Sequence, residues 1–315
     1  MTDTQFEGHP LDGCLFEGSP AGGPSLEATN TSTAQLPAQI DLRPYCSPVE
    51  NQGKTNSCVA NAIVGAVELL QNKERRGAQD LSRLFLYYNA RKLGGREDRD
   101  KGTWIHHGMA ALLAHGVCEE RMWPFQPVAV NQMPTQACFT NATHYEAIQF
   151  ARTPGASAIM ALAQELPVAF GIVLPSECYK VANATGIVPP PETLPVTSPP
   201  SGHAMLLVGY DLNEKLFIAR NSWGSGYGKD GYILIPFDVM HKYAHPDQFW
   251  TIGAIERAPG LRLMGAGVEE TAASFAAPVE RSGATDGLGQ QLRGDIEGRL
   301  DAAKKGFADR LRGGK

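Results

Sequence analysis

The sequence has no Cys-x-x-Cys pair, although six cysteines are spread over its 315 residues, at positions 14, 46, 58, 118, 138 and 178. Without paired spacing there is no evident zinc site, so we predict neither a metal nor another cofactor. The N-terminus is polar and lacks the apolar core of a secretory signal. Because reduced thiols are the default in such a chain, we expect a cytoplasmic protein, unless another export signal is read.

Long apolar runs and concentrated positive charge are also missing. No run approaches the length of a membrane span. The formal net charge is −5, and no stretch gathers lysine and arginine beside aromatic residues. We therefore expect neither a membrane span nor a nucleic-acid partner. The hydrophobic content of 43% is sufficient for one large or two small globular domains.

Composition divides the chain into three parts. Residues 1–35 are rich in Gly, Pro, Ser and Thr and are predicted to form a flexible leader. Residues 36–257 are globular, with helical patterns over about 40–125 and short β-branched and aromatic runs over about 126–257. Helices followed by strands are typical of an α+β fold with a helical lobe and a sheet or barrel lobe.

The C-terminal part, residues 258–315, is again rich in glycine and alanine. It contains an apolar stripe that predicts an amphipathic helix over 287–312. Four glycines interrupt this stripe, and each costs about 1 kcal/mol relative to alanine. A mostly disordered tail and a helix that docks on a partner or on the protein's own body both remain open.

The stretch "NQGKTNSCVANAI", residues 51–63, contains two candidate sites. Gly53-Lys54-Thr55 resembles the end of a phosphate-binding loop. That motif needs a glycine five positions earlier, where Pro48 stands and has no N–H to offer. We therefore interpret these three residues as a loop.

The second candidate is Cys58. The apolar residues from Val59 onward follow helical spacing, so a helix should begin at about Cys58, with Ser57 or Asn56 as its N-cap. The positive end of the helix dipole lowers the pKa of a thiol placed there and favours a thiolate nucleophile. Taken alone, the same pattern also fits a small buried hydrophobic residue.

A catalytic thiolate needs a base, a group that orients the base, and donors for an oxyanion. His203 stands at the start of the strand pattern "AMLLVGYD", and Asn221 follows the next strand. A hairpin of these strands would bring Asn221 to His203, where its side-chain oxygen fixes the imidazole tautomer. Gln52, on the loop before Cys58, could donate to the oxyanion together with the Cys58 backbone N–H.

One histidine pair is not assigned to this site. His106 and His107 are adjacent in a helical pattern, so their side chains diverge by about 100°. No carboxylate or cysteine cluster is evident nearby, and we interpret both as structural or surface residues.

The combination of Gln52, Cys58, His203 and Asn221-Ser222-Trp223-Gly224 resembles the signature of the papain-like cysteine peptidases. The resemblance covers about residues 36–257, and the departures from the usual pattern favour a prokaryotic or intracellular member. It implies a two-lobed fold with a helical left lobe, an antiparallel β-barrel-like right lobe and the active-site cleft between them. It also implies that Trp223 shields the Asn221–His203 hydrogen bond from water.

By this resemblance we expect a cysteine endopeptidase that acts on peptide or protein substrates through a Cys–His pair and an acyl-enzyme. The alternatives are an amidase or acyl transferase with the same site, and a catalytically weak scaffold used for binding. Residues 1–35 are too short and too polar to copy the family's long inhibitory propeptide.

The resemblance also predicts residues of the substrate cleft. These are Gly102, Thr103, Ser201, Gly202 and Ala204. Their small side chains should leave room for a sizeable apolar substrate side chain at P2. A proline-rich loop, residues 189–200, leads to His203 and could instead cover part of the cleft.

Overall fold

A computed structural model describes seven stretches of the chain: 5–16, 25–28, 36–74, 79–144, 150–153, 156–253 and 261–264. The predicted tail helix over 287–312 lies outside these residues. None of the helices in the described stretches is both long and apolar enough to cross a membrane. Within the same stretches, no group of three or more His, Cys, Asp or Glu side chains could hold a metal ion.

The helical lobe is built around a central helix that begins at the candidate nucleophile. Its helices are α1 (Cys58–Lys73), α2 (Arg83–Leu93), α3 (Ile105–His115) and α4 (Gln136–Ala142), with 3₁₀ turns at Arg43–Tyr45 and Pro127–Ala129. Every residue of α1 from Cys58 to Leu69 is buried, because the helix lies between α2 and α3 on one side and the sheet on the other. This burial extends beyond the apolar stripe that predicted the helix.

Local signals fix the ends of the other helices. The Ser82 side chain caps α2 by accepting a hydrogen bond from Phe85 N at 3.2 Å. Gly116 ends α3 with φ +68°, a conformation that favours glycine. Helix α4 packs its Phe139 ring on Phe85, with centroids 5.0 Å apart. The helical lobe therefore continues past the predicted border near residue 125.

The second lobe is a mainly antiparallel sheet. Its strands are β3 (Ser25–Ala28), β4 (Gln39–Asp41), β5 (Phe150–Arg152), β6 (Val168–Leu174), β7 (Ser201–Asp211), β8 (Leu216–Arg220), β9 (Tyr232–Pro236), β10 (Ala244–Ile252) and β11 (Leu261–Met264). The order is β11-β3-β5-β10-β6-β7-β8-β9, and β4 also pairs with β7. Among the described residues, β11 and β9 are the two ends of this order.

Three helices of this lobe did not stand out in the sequence. They are α5 (Ala156–Ala163), α6 (Ser176–Thr185) and α7 (Phe237–Tyr243). They are short and lie between strong strand patterns, which hides a 3.6-residue period. Helix α6 follows Pro175, and Gly186 ends it with φ +81°.

The leader contributes to the fold at two places. Residues 5–16 include the short hairpin β1 (Gln5–Phe6) and β2 (His9–Pro10). Further on, β3 pairs in parallel with β5 and antiparallel with β11, so a leader strand lies between the β lobe and a tail strand. The leader was predicted to be flexible, and the difference arises because its contacts come from distant parts of the chain.

Candidate active site

Cys58 lies at the junction of the two lobes, at the first residue of α1, and is fully buried. Ser57 occupies the N-cap position, but its side chain does not cap the helix. Its hydroxyl instead lies 2.7 Å from Thr55 Oγ1 and accepts from Asn61 Nδ2 at 3.0 Å. These bonds fix the turn that presents the thiol, so Cys58 has the predicted place on the predicted element.

His203 and Asn221 meet through the β7–β8 hairpin. His203 Nε2 lies 2.8 Å from Asn221 Oδ1, and both residues are buried. The Asn221 backbone is held by a bond from its N–H to Gly231 O at 3.0 Å. Since an amide oxygen can only accept, Nε2 carries the proton, which leaves Nδ1 as the basic nitrogen of a neutral ring. His203 Nδ1 is buried and has no hydrogen-bond partner within the described structure.

An aromatic cluster covers this pair. The Trp223 ring lies 4.9 Å from the His203 ring, centroid to centroid, at an angle of 30°. Tyr179 packs edge-on against both rings, at 5.7 Å from His203 and 5.3 Å from Trp223. Tyr227 packs on Trp223 at 4.6 Å and donates its hydroxyl to Tyr179 O. Sequence reasoning found Trp223 but missed both tyrosines, because neither stands in a pattern that sets it apart.

Gln52 connects the two lobes beside the nucleophile. It is fully buried and donates its side-chain amide to Thr55 O at 2.8 Å. Its side-chain oxygen accepts from Ser222 Oγ, and its backbone N–H donates to Ser222 O at 2.8 Å. An amide nitrogen has two N–H groups, so a second donor is available. Ser222, the residue after Asn221, therefore holds Gln52 in position.

The N-terminal segment, residues 5–16, lies across Cys58. A Cβ atom on Gly13 would lie 2.8 Å from Cys58 Sγ and 2.8 Å from Asn56 O. Real Cβ atoms do not approach so closely, so only a glycine allows the backbone to pass over the thiol. This closure of the site is the principal feature that the composition of residues 1–35 did not indicate.

Backbone hydrogen bonds hold the N-terminal segment on both walls of the cleft. On one wall, Leu15 N donates to Thr103 O and Thr103 N donates to Gly13 O, each at 3.0 Å. On the other, Cys14 N donates to Gly202 O at 3.0 Å. The bridge between Cys14 and Thr103 is parallel. Thr103 and Gly202, both predicted from the sequence, are thus the residues that bind an extended backbone here.

The remaining predicted cleft residues have different surroundings. A Cβ on Gly102 would lie 2.4 Å from Gly13 O, so this glycine also permits the close approach. Ala204 is buried beside Cys58 and pairs with Gly171 across the sheet. Ser201 is buried, and its hydroxyl points back to Pro199 O at 3.5 Å.

Side chains of the N-terminal segment fill pockets at both ends. Phe6 and His9 each stack on Trp223 with centroids 5.4 Å apart, and His9 Nδ1 lies 3.0 Å from Gly53 O. At the other end the Phe16 ring stacks on His245 at 5.4 Å. A Cβ on Gly202 would lie 2.3 Å from this ring, so the glycine makes room for it. Because its carbonyl oxygen contacts His9, Gly53 of the phosphate-loop-like motif lies in a loop that binds the N-terminal segment.

The electrostatics of the covered site differ from the expectation for Cys58. Burial raises the pKa of the Cys58 thiol to about 12, although the N–H groups of Ala204 and Val59 lower it in part. Burial lowers the pKa of His203 to about 4, against the opposite influence of Asn221. The predicted lowering of the thiol pKa is therefore wrong for this state. Gly13 of the N-terminal segment contributes to the burial of Cys58, and the aromatic rings of Trp223 and Tyr179 bury His203, so the neutral form of each group is favoured.

The other histidine candidates lie apart from this site. His106 and His107 are buried in α3 with ring centroids 4.6 Å apart. Burial lowers the pKa of His106 to about 2 and that of His107 to about 4. Both rings contact Trp104, in keeping with the structural alternative of the sequence interpretation.

Comparisons with known proteins agree with this geometry. The sequence profile described as papain family cysteine protease matches residues 36–245. An uncharacterized peptidase C1-like protein of Acanthamoeba polyphaga mimivirus is 32% identical over 214 residues, covering 64% of this chain and 68% of its own length. Cathepsin K of Gallus gallus is 29% identical over 216 residues, covering 64% of this chain. This chain spans only 60% of the length of that cathepsin.

The fold matches a solved structure over most of its length. Xylellain, a cysteine protease from Xylella fastidiosa, superposes with a TM-score of 0.68 and 29% sequence identity. The match covers 77% of this chain and 95% of xylellain.

Proposed function

Because the chain belongs to the papain family of cysteine proteases, we propose that it hydrolyses peptide bonds with Cys58 as nucleophile and His203 as base. The observation that supports these assignments is the His203–Asn221 bond of 2.8 Å, which leaves Nδ1 as the basic nitrogen, one residue before Ala204, whose backbone N–H lies beside the Cys58 thiol. Gln52 and the Cys58 backbone N–H are the proposed oxyanion donors.

The chemistry follows from these roles. Nδ1 of His203 takes the thiol proton, and the Cys58 thiolate attacks the carbonyl carbon of the scissile bond. The imidazolium then protonates the leaving amine, and a water molecule, deprotonated by His203, releases the acyl group as a carboxylic acid. Asn221 keeps the ring in one tautomer throughout, and Trp223 keeps water from the bond between them.

The N-terminal segment is proposed to block this reaction. A leaving amine must depart on the side of His203 and Trp223, and Phe6 and His9 occupy that side. Cys14 occupies the opposite side, beside Thr103, where the acyl residues of a substrate belong. The segment thus runs in the direction opposite to a substrate. The Gly13 carbonyl oxygen accepts a hydrogen bond from Thr103 N–H. This bond directs the Gly13–Cys14 peptide bond away from attack by Cys58.

Three further assignments are proposals of the same kind. The small cleft residues are proposed to admit a large apolar side chain, and the aromatic Phe16 against Gly202 supports this. A cytoplasmic location is proposed because all six cysteines are free thiols. Peptides and proteins, rather than nucleic acid, are the proposed partners.

The test of the site is hydrolysis of defined peptides by the full-length protein, with products identified by mass spectrometry. Cys58→Ala and His203→Ala should each lower kcat/KM at least about a thousandfold. Cys46→Ala serves as a matched control, because this thiol is half-buried away from the cleft and bonds to Leu42 O. Equal turnover by Cys58→Ala and the unaltered protein would contradict the proposal.

A further inference from the structure

Asp100 lies in the loop between α2 and α3 and joins this loop to the turn that contains Cys58. It is half-buried, and its side-chain oxygens accept from the backbone N–H of Asn56 at 3.0 and 3.2 Å. Its backbone oxygen accepts from Asn56 Nδ2 at 3.0 Å. A hydrogen bond to a charged acceptor is about twice as strong as one between neutral groups. Because Asn56 stands two residues before Cys58, the carboxylate holds the chain directly before the nucleophile.

The peptide group between Thr55 and Asn56 connects Asp100 to Gln52. Its N–H belongs to Asn56 and bonds to Asp100. Its carbonyl oxygen belongs to Thr55 and accepts from Gln52 Nε2 at 2.8 Å. A peptide group is planar and rigid, so the bond that fixes the direction of the N–H also fixes the direction of the carbonyl. Hydrogen bonds in series also polarise one another, so the bond to Asp100 strengthens the bond to Gln52.

Two buried residues of α2 support Asp100 from the other side. Tyr87 donates its hydroxyl to Asp100 Oδ1 at 2.6 Å, and the same hydroxyl accepts from Gly102 N at 3.0 Å. The guanidinium carbon of Arg91 lies 4.1 Å from the centroid of the Tyr87 ring, and Arg91 Nη1 donates to Arg99 O at 2.6 Å. Since Tyr87 and Arg91 are both fully buried, the loop is fixed to the helical lobe.

The contacts of Asp100 therefore lead to two parts of the active site. Through Asn56 they reach the side-chain amide of Gln52, a proposed donor to the oxyanion. Through Tyr87 they reach Gly102, next to Thr103, whose backbone bonds to an extended chain in the cleft. A contact that matters only in the transition state changes kcat, whereas one that matters equally for the bound substrate changes KM.

We propose that Asp100 is a positioning residue of the active site, which orients the Gln52 amide for the oxyanion through the Thr55–Asn56 peptide group. This inference rests on the proposed function, because it takes Gln52 as an oxyanion donor. The loop that lines the cleft thus also sets the direction of a group on the opposite side of Cys58 in the sequence.

The first test compares kcat and KM of the full-length protein with those of Asp100→Ala on one peptide substrate. Removal of an oxyanion donor costs about 10²–10³ in kcat, and Asp100→Ala keeps the Gln52 amide but releases its orientation. We therefore expect kcat to fall about ten- to thirtyfold, with KM within about threefold. Asp100→Asn keeps one acceptor oxygen without the charge, so its kcat should fall only about three- to fivefold.

Two further variants separate this role from a general effect on the loop. Asp98→Ala is the matched control, because Asp98 is 68% exposed in the same loop and pairs with Arg99; kcat and KM should stay within about twofold. Tyr87→Phe keeps the carboxylate but removes the bond to Gly102, so KM should rise about three- to tenfold with kcat within about threefold.

Three results would overturn the proposal. They are an unchanged kcat in Asp100→Ala, an equal loss of kcat in Asp98→Ala, and a loss of kcat in Tyr87→Phe as large as that in Asp100→Ala. Thermal unfolding of each variant shows whether it is folded. If Asp100→Ala does not fold, Asp100→Asn decides, and an unchanged kcat in that variant would overturn the proposal.

Binding of a peptide aldehyde separates this inference from the proposed reaction. The Cys58 sulfur bonds to the aldehyde carbon, the thiol proton passes to the aldehyde oxygen, and this oxygen takes the position of the oxyanion. The Kd of the aldehyde is divided by that of the matching peptide alcohol, which cannot form the bond. Because the N-terminal segment excludes both peptides equally, the ratio is independent of how often the cleft is open.

Each outcome of this measurement has a distinct meaning. If Asp100→Ala raises the ratio at least about tenfold and the unaltered protein hydrolyses no peptide, the role of Asp100 is retained and the reaction is rejected. If the unaltered protein hydrolyses peptides and Asp100→Ala changes neither the ratio nor kcat, the reaction is retained and the role is rejected. A protein that neither prefers the aldehyde nor hydrolyses peptides would reject both.

Discussion

The N-terminal segment and the helical lobe are ordered by different means. Helix α1 buries Cys58 to Leu69 against neighbouring helices and the sheet, and its apolar spacing predicts this. The N-terminal segment buries Phe6, Leu11 and Cys14, but against the cleft rather than against a periodic face of its own. Because contacts with the cleft order this segment, its sequence needs no apolar periodicity of its own. Its composition therefore resembles that of a flexible leader.

The largest effect is expected from a larger side chain at Gly13. Gly13→Val adds a side chain where Cys58 Sγ and Asn56 O leave 2.8 Å. The N-terminal segment should leave the cleft, and peptide hydrolysis by the full-length protein should rise at least about tenfold, for a loss of 1.4 kcal/mol or more in segment binding. The rate of Cys58 alkylation should rise with it.

Gly226→Val is the matched control for this substitution. Gly226 has a negative φ, and nothing lies within 4 Å of a Cβ placed there. It should leave hydrolysis within about twofold of the unaltered protein. If Gly13→Val were also without effect, the segment would not limit access to the thiol.

Acid pH should weaken the block. In the covered state the pKa of His203 is about 4, whereas an imidazole in water has a pKa of about 6.5. The segment supplies part of this burial, so the uncovered ring binds a proton more tightly; cover by the segment is therefore strongest above pH 6.5 and weakens as pH falls towards 4. Burial also lowers the pKa of His9, which acts in the same direction.

Amide hydrogen exchange measures this effect directly. The N–H groups of Cys14 and Leu15, which donate to Gly202 O and Thr103 O, report the covered state. After correction for intrinsic exchange, their protection should fall about tenfold between pH 6.5 and pH 5. His203→Gln should remove most of this dependence, and equal protection at the two pH values would contradict the linkage.

The smallest expected effect concerns the tail strand. β11 pairs over four residues with β3, the second part of the leader, and so ties leader and tail together. A chain that ends at residue 253 loses these bonds, and hydrolysis should rise about two- to fivefold, for a net loss near 1 kcal/mol. A chain that ends at residue 264 keeps β11 and is the control. Equal rates for the two would exclude a role of β11 in the block.

The elements that carry the candidate site could be predicted from the sequence because each follows a local pattern. Cys58 lies at a helix start, and the β7–β8 hairpin that joins His203 to Asn221 is marked by two strand patterns and a short turn. The raised pKa of Cys58 could not be predicted, since it comes from burial, to which Gly13 contributes from 45 residues away in the sequence. Tyr179 and Tyr227 were missed for the same reason: each acts through contacts between distant elements.

The N-terminal segment is covalently attached to the domain whose cleft it covers. It can therefore occupy the cleft even when its intrinsic affinity is low. A short tether gives an attached ligand an effective concentration of about 1 mM. A segment with an intrinsic Kd of about 0.1 mM would thus occupy the cleft about nine-tenths of the time. Breaking one peptide bond within residues 17–24 turns it into a free peptide, diluted to the concentration of the protein. At micromolar protein it would dissociate and not return, so a single cut converts a reversible cover into a permanent release.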